Sequence, residues 1–365
     1  MDFNGLSIDQ APPISAPVRF FLTAPLFGIL AGFMIFFSDS ATLMSRYSID
    51  SIVITHAMTI GFLGFVMLGS MTQMLPVLAG AKIPNVKAVT KYSHALLVLG
   101  AIFMFLGLLK GNYIFNIFSF IGLGSGFIIM LAAILISLKS VENFTATVRA
   151  MLTSVVFAFF VVLMGLYLLY SYILGEMSAL HIVVANVHSV WGIFGFAGIL
   201  IIGVSFQVLP MFYVAPKFKS FCKQKVVWLI SGGLVLWLTL SFFYEDYAFV
   251  AKLWIALFFW AFATTVWLKL NKRRRPISDV TVWYWRSSSI FLTLGAFVWI
   301  FDEYFKHEYI VMAAILIGGF ILSIMVGMLY KICVQFPVVW VSIFKWPKGF
   351  IYEVISPTYF YRGLD

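Results

Sequence analysis

Charge is scarce in this chain. Charged residues are 10% of its 365, where a soluble domain carries about a quarter. That excludes an ordinary soluble fold, and equally a disordered polar segment. Cysteine is nearly absent: Cys222 and Cys333 alone give neither a disulfide framework nor a Cys-x-x-Cys metal pair. Acidic residues number 14 against 24 Lys and Arg, a formal charge of +10. In an apolar chain this excess reads as membrane topology rather than nucleic-acid binding. The first 18 residues have no basic n-region or cleavage site of a signal peptide, and read as a short tail.

What is abundant is apolar surface. Hydrophobic residues are 62% of the chain, and mean hydropathy is +1.03. Several runs exceed the roughly 18 apolar residues that mark a membrane-spanning helix. Spans this long and uniform suit helices, not barrel strands. The expected fold is therefore all-α, a polytopic membrane helical bundle forming one integral domain over residues 1–365. About ten spans are expected, near Phe20–Phe37, Ile52–Leu78, Tyr92–Lys110, Tyr113–Leu138, Met151–Leu174, Leu180–Leu209, Val226–Tyr244, Phe249–Leu268, Ser287–Phe301 (short) and Tyr309–Val334. The tail after Pro337 is expected at the interface.

Loop charges alternate. Lys82, Lys87 and Lys91, then Lys139 and Arg149, then Lys217, Lys219, Lys223 and Lys225, then Lys272 to Arg275 fall on one side. Asp39, Asp50, Glu176, Glu245, Asp246, Asp302, Glu303 and Glu308 fall on the other, with Arg46, Lys110, Lys252 and Lys306 the basic residues there. The positive side predicts both termini in the cytoplasm and a multi-pass protein of a bacterial or archaeal inner membrane. Lys272 to Pro276 reads as a topology anchor.

One pattern recurs. Gly69, Gln73 and Pro76 close the second span, and Gly203, Gln207 and Pro210 close the sixth at the same spacing. Gly327 and Lys331 occupy the first two of those positions in the tenth. The unit is about four helices: one copy over about 19–140, a second over about 149–270, and a partial third over about 286–346. Repeats of this kind place binding sites where the copies meet.

The second and sixth spans each open on a histidine, His56 and His188. Histidine inside a bilayer is costly and marks function by default. A lone one would bond a neighbouring carbonyl; two at similar depth in sister helices suggest a shared ligand. Gly192 and Gly195 follow His188 on one helix face, and Gly64 follows His56 on its face. Such bare faces suit a flat macrocycle, though they also suit close helix packing. No further His, Cys or carboxylate lies at that depth to complete a zinc or copper site. His181, two turns before His188, would meet a haem propionate or stand solvated at the surface. His94 reads as structural and His307 as solvated. Met312, at the place of His188 in the third copy, reads as core.

Two of these segments resemble the haem–copper oxidase subunit I superfamily, whose fold is twelve helices in three arcs of four. His56 through Gly69-Ser-Met-Thr-Gln-Met-Leu-Pro76 and the Pro-x-x-x-Gly-Ala turn to Ala81 is similar to its second helix, which carries one ligand of the low-spin haem. Val183 to Gly198 is similar to its tenth helix, whose second histidine matches His188. Asn186 stands where that helix carries the high-spin haem ligand, and the family's copper ligands are absent. Four helices separate the two motifs here, against eight in the family. The opening from Pro17 to Phe33 and the run from Gly327 to Ile332 also resemble small oxidase-like proteins of the NnrS type, described as haem-binding and linked to nitric oxide stress. The resemblance implies one haem b ligated by His56 and His188 without an oxygen-reducing centre, hence no complete oxidase. Expected partners are the lipid bilayer and an electron-transfer protein, periplasmic or in the membrane, or a larger complex; none is nucleic acid. The alternatives are a nitric oxide response protein, a cofactor-free transporter, and a structural subunit of a membrane complex.

Overall fold

A computed structural model describes residues 12–274, 278–302 and 309–333. They are helical, with no strand among them. The long helices are α1 (Ser15–Phe37), α2 (Ile49–Ala79), α3 (Val86–Lys110), α4 (Tyr113–Lys139), α5 (Ala146–Leu174), α6 (Leu180–Phe212), α7 (Ser220–Phe243), α8 (Ala248–Asn271), α9 (Val280–Ile300) and α10 (Tyr309–Lys331). All but α9 are both long and apolar enough to cross a membrane. The chain is a multi-pass helical membrane protein. The end of the Lys272–Pro276 run, the loop holding His307 and the tail after Pro337 lie outside the described residues.

Expected boundaries shift where polar residues interrupt an apolar run. The segment opening at Ser287 is in fact a helix from Val280, capped by Asp279, whose carboxylate accepts the Thr281 and Val282 N–H groups at 3.0 and 3.2 Å. Arg286 and the serines after it lower its hydropathy, yet Ser288 and Ser289 are buried. The Ser289 hydroxyl donates to the Trp285 carbonyl at 2.9 Å, so burial leaves it satisfied. α3 begins at Val86 rather than near Tyr92, and α6 runs past Pro210 to Phe212.

α2 and α6 are the most deeply buried helices of their regions, and α2, α6 and α10 each contain an eight-residue π-helical stretch: Ala57–Gly64, Trp191–Gly198 and Ala314–Ile321. The stretch in α10 touches those of both α2 and α6. Such widened turns are rare and concentrate at functional sites.

One packing contact occurs three times. Gly61, Gly195 and Gly319 stand at equal spacing before Gly69, Gly203 and Gly327. A Cβ on any of the three would overlap a phenylalanine of a neighbouring helix: Phe27 of α1, Phe157 of α5 and Phe291 of α9 respectively. The second glycine of each pair receives the same neighbour one step along: Phe20 and Phe21, Ala150, and Tyr284. Two glycines per helix thus admit an aromatic wedge at one level and a close approach at the next.

α2 and α6 also end alike. Four residues after Pro76 the chain turns through left-handed Gly80, φ +67°. Four residues after Pro210 it turns through Val214, φ +51°.

A paired-imidazole candidate site

His56 and His188 come together. Their ring centroids are 6.0 Å apart and their planes 27° from parallel. That is too far for face contact between rings. It matches two imidazoles on opposite sides of one metal ion: a metal–nitrogen bond of about 2 Å on each side, plus the distance from a ring nitrogen to its centre, gives roughly 6 Å.

Each ring is held by its Nδ1. His56 Nδ1 donates to the Ile52 carbonyl in its own helix at 2.7 Å. His188 Nδ1 donates across to the Val161 carbonyl of α5 at 3.0 Å. A carbonyl only accepts, so both protons sit on Nδ1. A neutral ring, the form a bilayer interior favours, then carries its lone pair on Nε2. Neither Nε2 has a hydrogen-bond partner among the described residues. Anchoring through one nitrogen while the other is left free is the arrangement of metal-ligating histidines.

The helices provide the room. A Cβ at Gly165 of α5 would lie 3.1 Å from His188 Cε1, so that glycine admits the imidazole. At Gly192 the nearest atom is Val161 Cγ1 at 3.9 Å, so its face is nearly open. Both histidines remain partly accessible, as do most residues of α2 from Ile49 to Ile60. Gly195 differs: Phe157 fills the space beside it, 2.7 Å from a Cβ there. Gly64 closes the π stretch of α2, where a Cβ would meet the Thr59 carbonyl at 2.8 Å. Counted from Gly69 and Gly203, His188 lies two residues farther out than His56, a rise of about 3 Å.

His181 is 7% exposed, with Tyr172 edge-on at 5.9 Å and a buried Nδ1 that has no partner. His94 is elsewhere. It pairs with Thr23 Oγ1 at 2.9 Å and packs against Phe20 and Phe65. Because the Thr23 hydroxyl already donates to the Arg19 carbonyl, His94 Nε2 is the donor of that bond. It ties α1, α2 and α3 together. Met312 packs partly buried against the core.

Sequence reasoning missed two residues. Arg46, before α2, reaches Ser189 beside His188 and lies 5.2 Å from the ring centroids of both Tyr47 and Tyr309. Among the described residues it has no carboxylate partner; the ion pairs there are Lys252–Asp302 and Lys331–Asp279. Its place as one of the few basic residues on the mainly acidic side was the available signal. Gly165 had none, since only the fold brings α5 to His188.

No protein-family model matches this chain, and no curated protein or solved structure matches it significantly. Its chemistry rests on its own geometry. Among the described residues no group of three or more His, Cys, Asp or Glu comes together; the donor set is a pair of neutral imidazoles. Such a pair suits a metal whose other ligands come from a macrocycle.

Proposed function

We propose that the protein binds one haem b between His56 and His188 and works in electron transfer across or within the membrane. The observation that carries this reading is the facing pair of Nδ1-anchored imidazoles at 6.0 Å. A haem would supply a one-electron iron couple, and with both imidazoles as its protein ligands it would keep no open position for oxygen. His56 and His188 would hold the iron. The Ile52 and Val161 carbonyls would keep both rings in the ligating tautomer, making them more basic donors. Gly192 would offer a face without a side chain. Arg46 is the cation placed to meet a carboxylate at this end of the bundle, and His181 a second polar contact. The packed half of α2 and α6 beyond the π stretches would exclude water from the other side.

The same reading takes the three glycine–phenylalanine contacts and the three π stretches as marks of a repeat, with α1–α4, α5–α8 and α9–α10 as two full arcs and one partial arc. It keeps the haem–copper oxidase-like relation as the origin of the fold. It places both termini in the cytoplasm of a bacterial or archaeal cell, and the histidine pair near the outer face.

The test is the absorption spectrum of detergent-purified protein, oxidised and dithionite-reduced, expressed with haem supplied. A sharp low-spin b-type α band is expected in wild type and absent in His56→Ala and His188→Ala. A colourless wild type would overturn the reading in favour of a transporter or structural subunit. A band that collapses on adding nitric oxide, with one histidine displaced, would move the role from electron transfer to gas response.

A further inference from the structure

A second site lies farther along the same helices. A small cavity of about 40 Å³ is lined by twelve residues from α2, α5, α6, α9 and α10. Six are methionines: Met67, Met71, Met74, Met151, Met325 and Met328. The whole chain has 16 methionines in 365 residues, so half of one lining is far beyond composition. The lining follows the repeat register: Met67, Ile201 and Met325 stand two before the aligned glycines, and Ser70, Val204 and Met328 one after. The cavity therefore sits where the three sister helices converge.

Its size would admit a water molecule, but a buried water needs two to four polar partners. The lining's polar side-chain groups are the Ser70 hydroxyl and the Trp285 indole N–H, the bare minimum for one water, while half of the lining residues carry thioethers. Methionine is also the side chain best able to collapse into a gap. Six thioethers on one lining make it a soft, polarisable surface. Neutral sulfur donors in an apolar, water-poor shell favour a soft, singly charged metal ion over zinc, calcium or magnesium. One turn beyond Ser70 and Val204, toward the Pro76 and Pro210 ends, Gln73 and Gln207 each carry a buried Oε1 without a hydrogen-bond donor. Lys331 holds the matching position on α10, its charge met by Asp279 at 2.5 Å. Two orphaned amide oxygens beside a thioether chamber suit a cation entering from that end.

We propose that this chamber is a thioether site for Cu(I) or its analogue Ag(I), separate from the histidine pair. The experiment titrates Cu(I) anaerobically, against a Cu(I)-specific chelator, into full-length protein in detergent. The background is Cys222→Ser with Cys333→Ser, which removes thiol competition. One tightly held ion per chain is expected. A Met71→Leu, Met325→Leu, Met328→Leu variant, close to volume-conserving, should bind roughly tenfold or more weakly. A His56→Ala, His188→Ala variant should bind as before, which separates this site from the haem proposal. No competition by the parent protein, or equal affinity in the triple variant, would overturn it. Should the triple variant misfold, X-ray absorption of the Cu(I)-loaded parent decides: a sulfur-only shell supports the site, and a nitrogen or oxygen shell overturns it.

Discussion

Along α2 and α6 the two halves of one helix are built for different tasks. Before and into the π stretch, side chains are partly accessible, the helix carries a histidine, and the neighbour stands back at Gly192. Beyond it nearly every residue from Leu63 to Thr72 is buried, and wedges and close contacts seat on paired glycines. α10 shares the packed half but not the other. Met312 stands in the place of His188, and its glycines receive Phe291 and Tyr284 just as their counterparts receive phenylalanine or a smaller neighbour. Three helices thus agree where they pack and disagree where chemistry would occur. A scaffold constrained by packing can vary its open end without losing the fold.

The comparison is broken most severely at the packed half. Gly195→Leu has no room beside Phe157, and Gly61→Leu none beside Phe27. Overpacking costs about 1–3 kcal/mol per site when neighbours can shift, and two packed aromatics in a helix interface shift poorly. We expect loss of monodisperse protein in size-exclusion chromatography. If both variants purify normally, the glycine–phenylalanine contact is not what holds these helices together.

At the open half the expectation is the reverse. His56→Ala and His188→Ala should purify like wild type while haem occupancy falls by at least tenfold, read as the reduced α band per protein. Gly165→Ala sharpens this. Its new methyl would press on His188 Cε1 at 3.1 Å, shifting the ring without removing it. A lowered occupancy of roughly two- to tenfold, or a displaced band, is expected with an unchanged elution profile. An unaltered spectrum would mean that α5 does not set the ring's position.

Much of this was legible in the residues. Long apolar runs revealed the spans, and the Gly-Gln-Pro spacing pointed to α2 and α6 as helices that close alike. The two histidines stood out because polar groups are rare at that depth. What was not legible depended on partners. Gly195 looked like a bare face beside His188, and only the crossing of α5 shows Phe157 filling it. Gly61, Gly195 and Gly319 were present at equal spacing, but their meaning lies in phenylalanines from other helices. α9 was read short because hydropathy counts its arginine and serines as polar, while the helix buries Ser288 and Ser289 and satisfies Ser289 by its own Trp285 carbonyl.

The ion pair at the glutamine end predicts a pH dependence. Burial alone would raise the Asp279 pKa, but hydrogen bonds from Lys331 and Thr281, the Lys331 charge and the Val282 N–H outweigh it and hold the carboxyl below its ordinary value. A depressed carboxyl contributes stability above its unfolded pKa and loses it as pH falls through the folded one. Apparent melting temperature should therefore drop below about pH 4, and less so in Asp279→Asn. Both side chains are partly exposed, so the loss at neutral pH should be about 1 kcal/mol or less. Identical acid profiles in the two proteins would remove Asp279 from the account.

The smallest effect tests the matching ends of α2 and α6. Gly80 and Val214 hold the same left-handed turn, which strains a β-branched residue by roughly 1–2 kcal/mol and glycine hardly at all. The backbone at Val214 is fixed from outside. Its carbonyl accepts the Arg274 N–H at 3.2 Å, and Lys269 Nζ donates to the Pro216 and Lys217 carbonyls, two and three residues on, at 3.0 and 2.8 Å. The side chain itself is 46% exposed, so little packing is lost with it. Val214→Gly should relieve the strain, offset in part by the extra freedom glycine gains when unfolded. A net stabilisation of about 0.5–1 kcal/mol follows, seen as a modest rise in melting temperature. Gly80→Val should lower it by somewhat more, since it adds the strain at a turn with no clamp from α8. If Val214→Gly destabilises instead, the valine contributes packing that outweighs its strain, and the two helix ends are alike in shape but not in energetics.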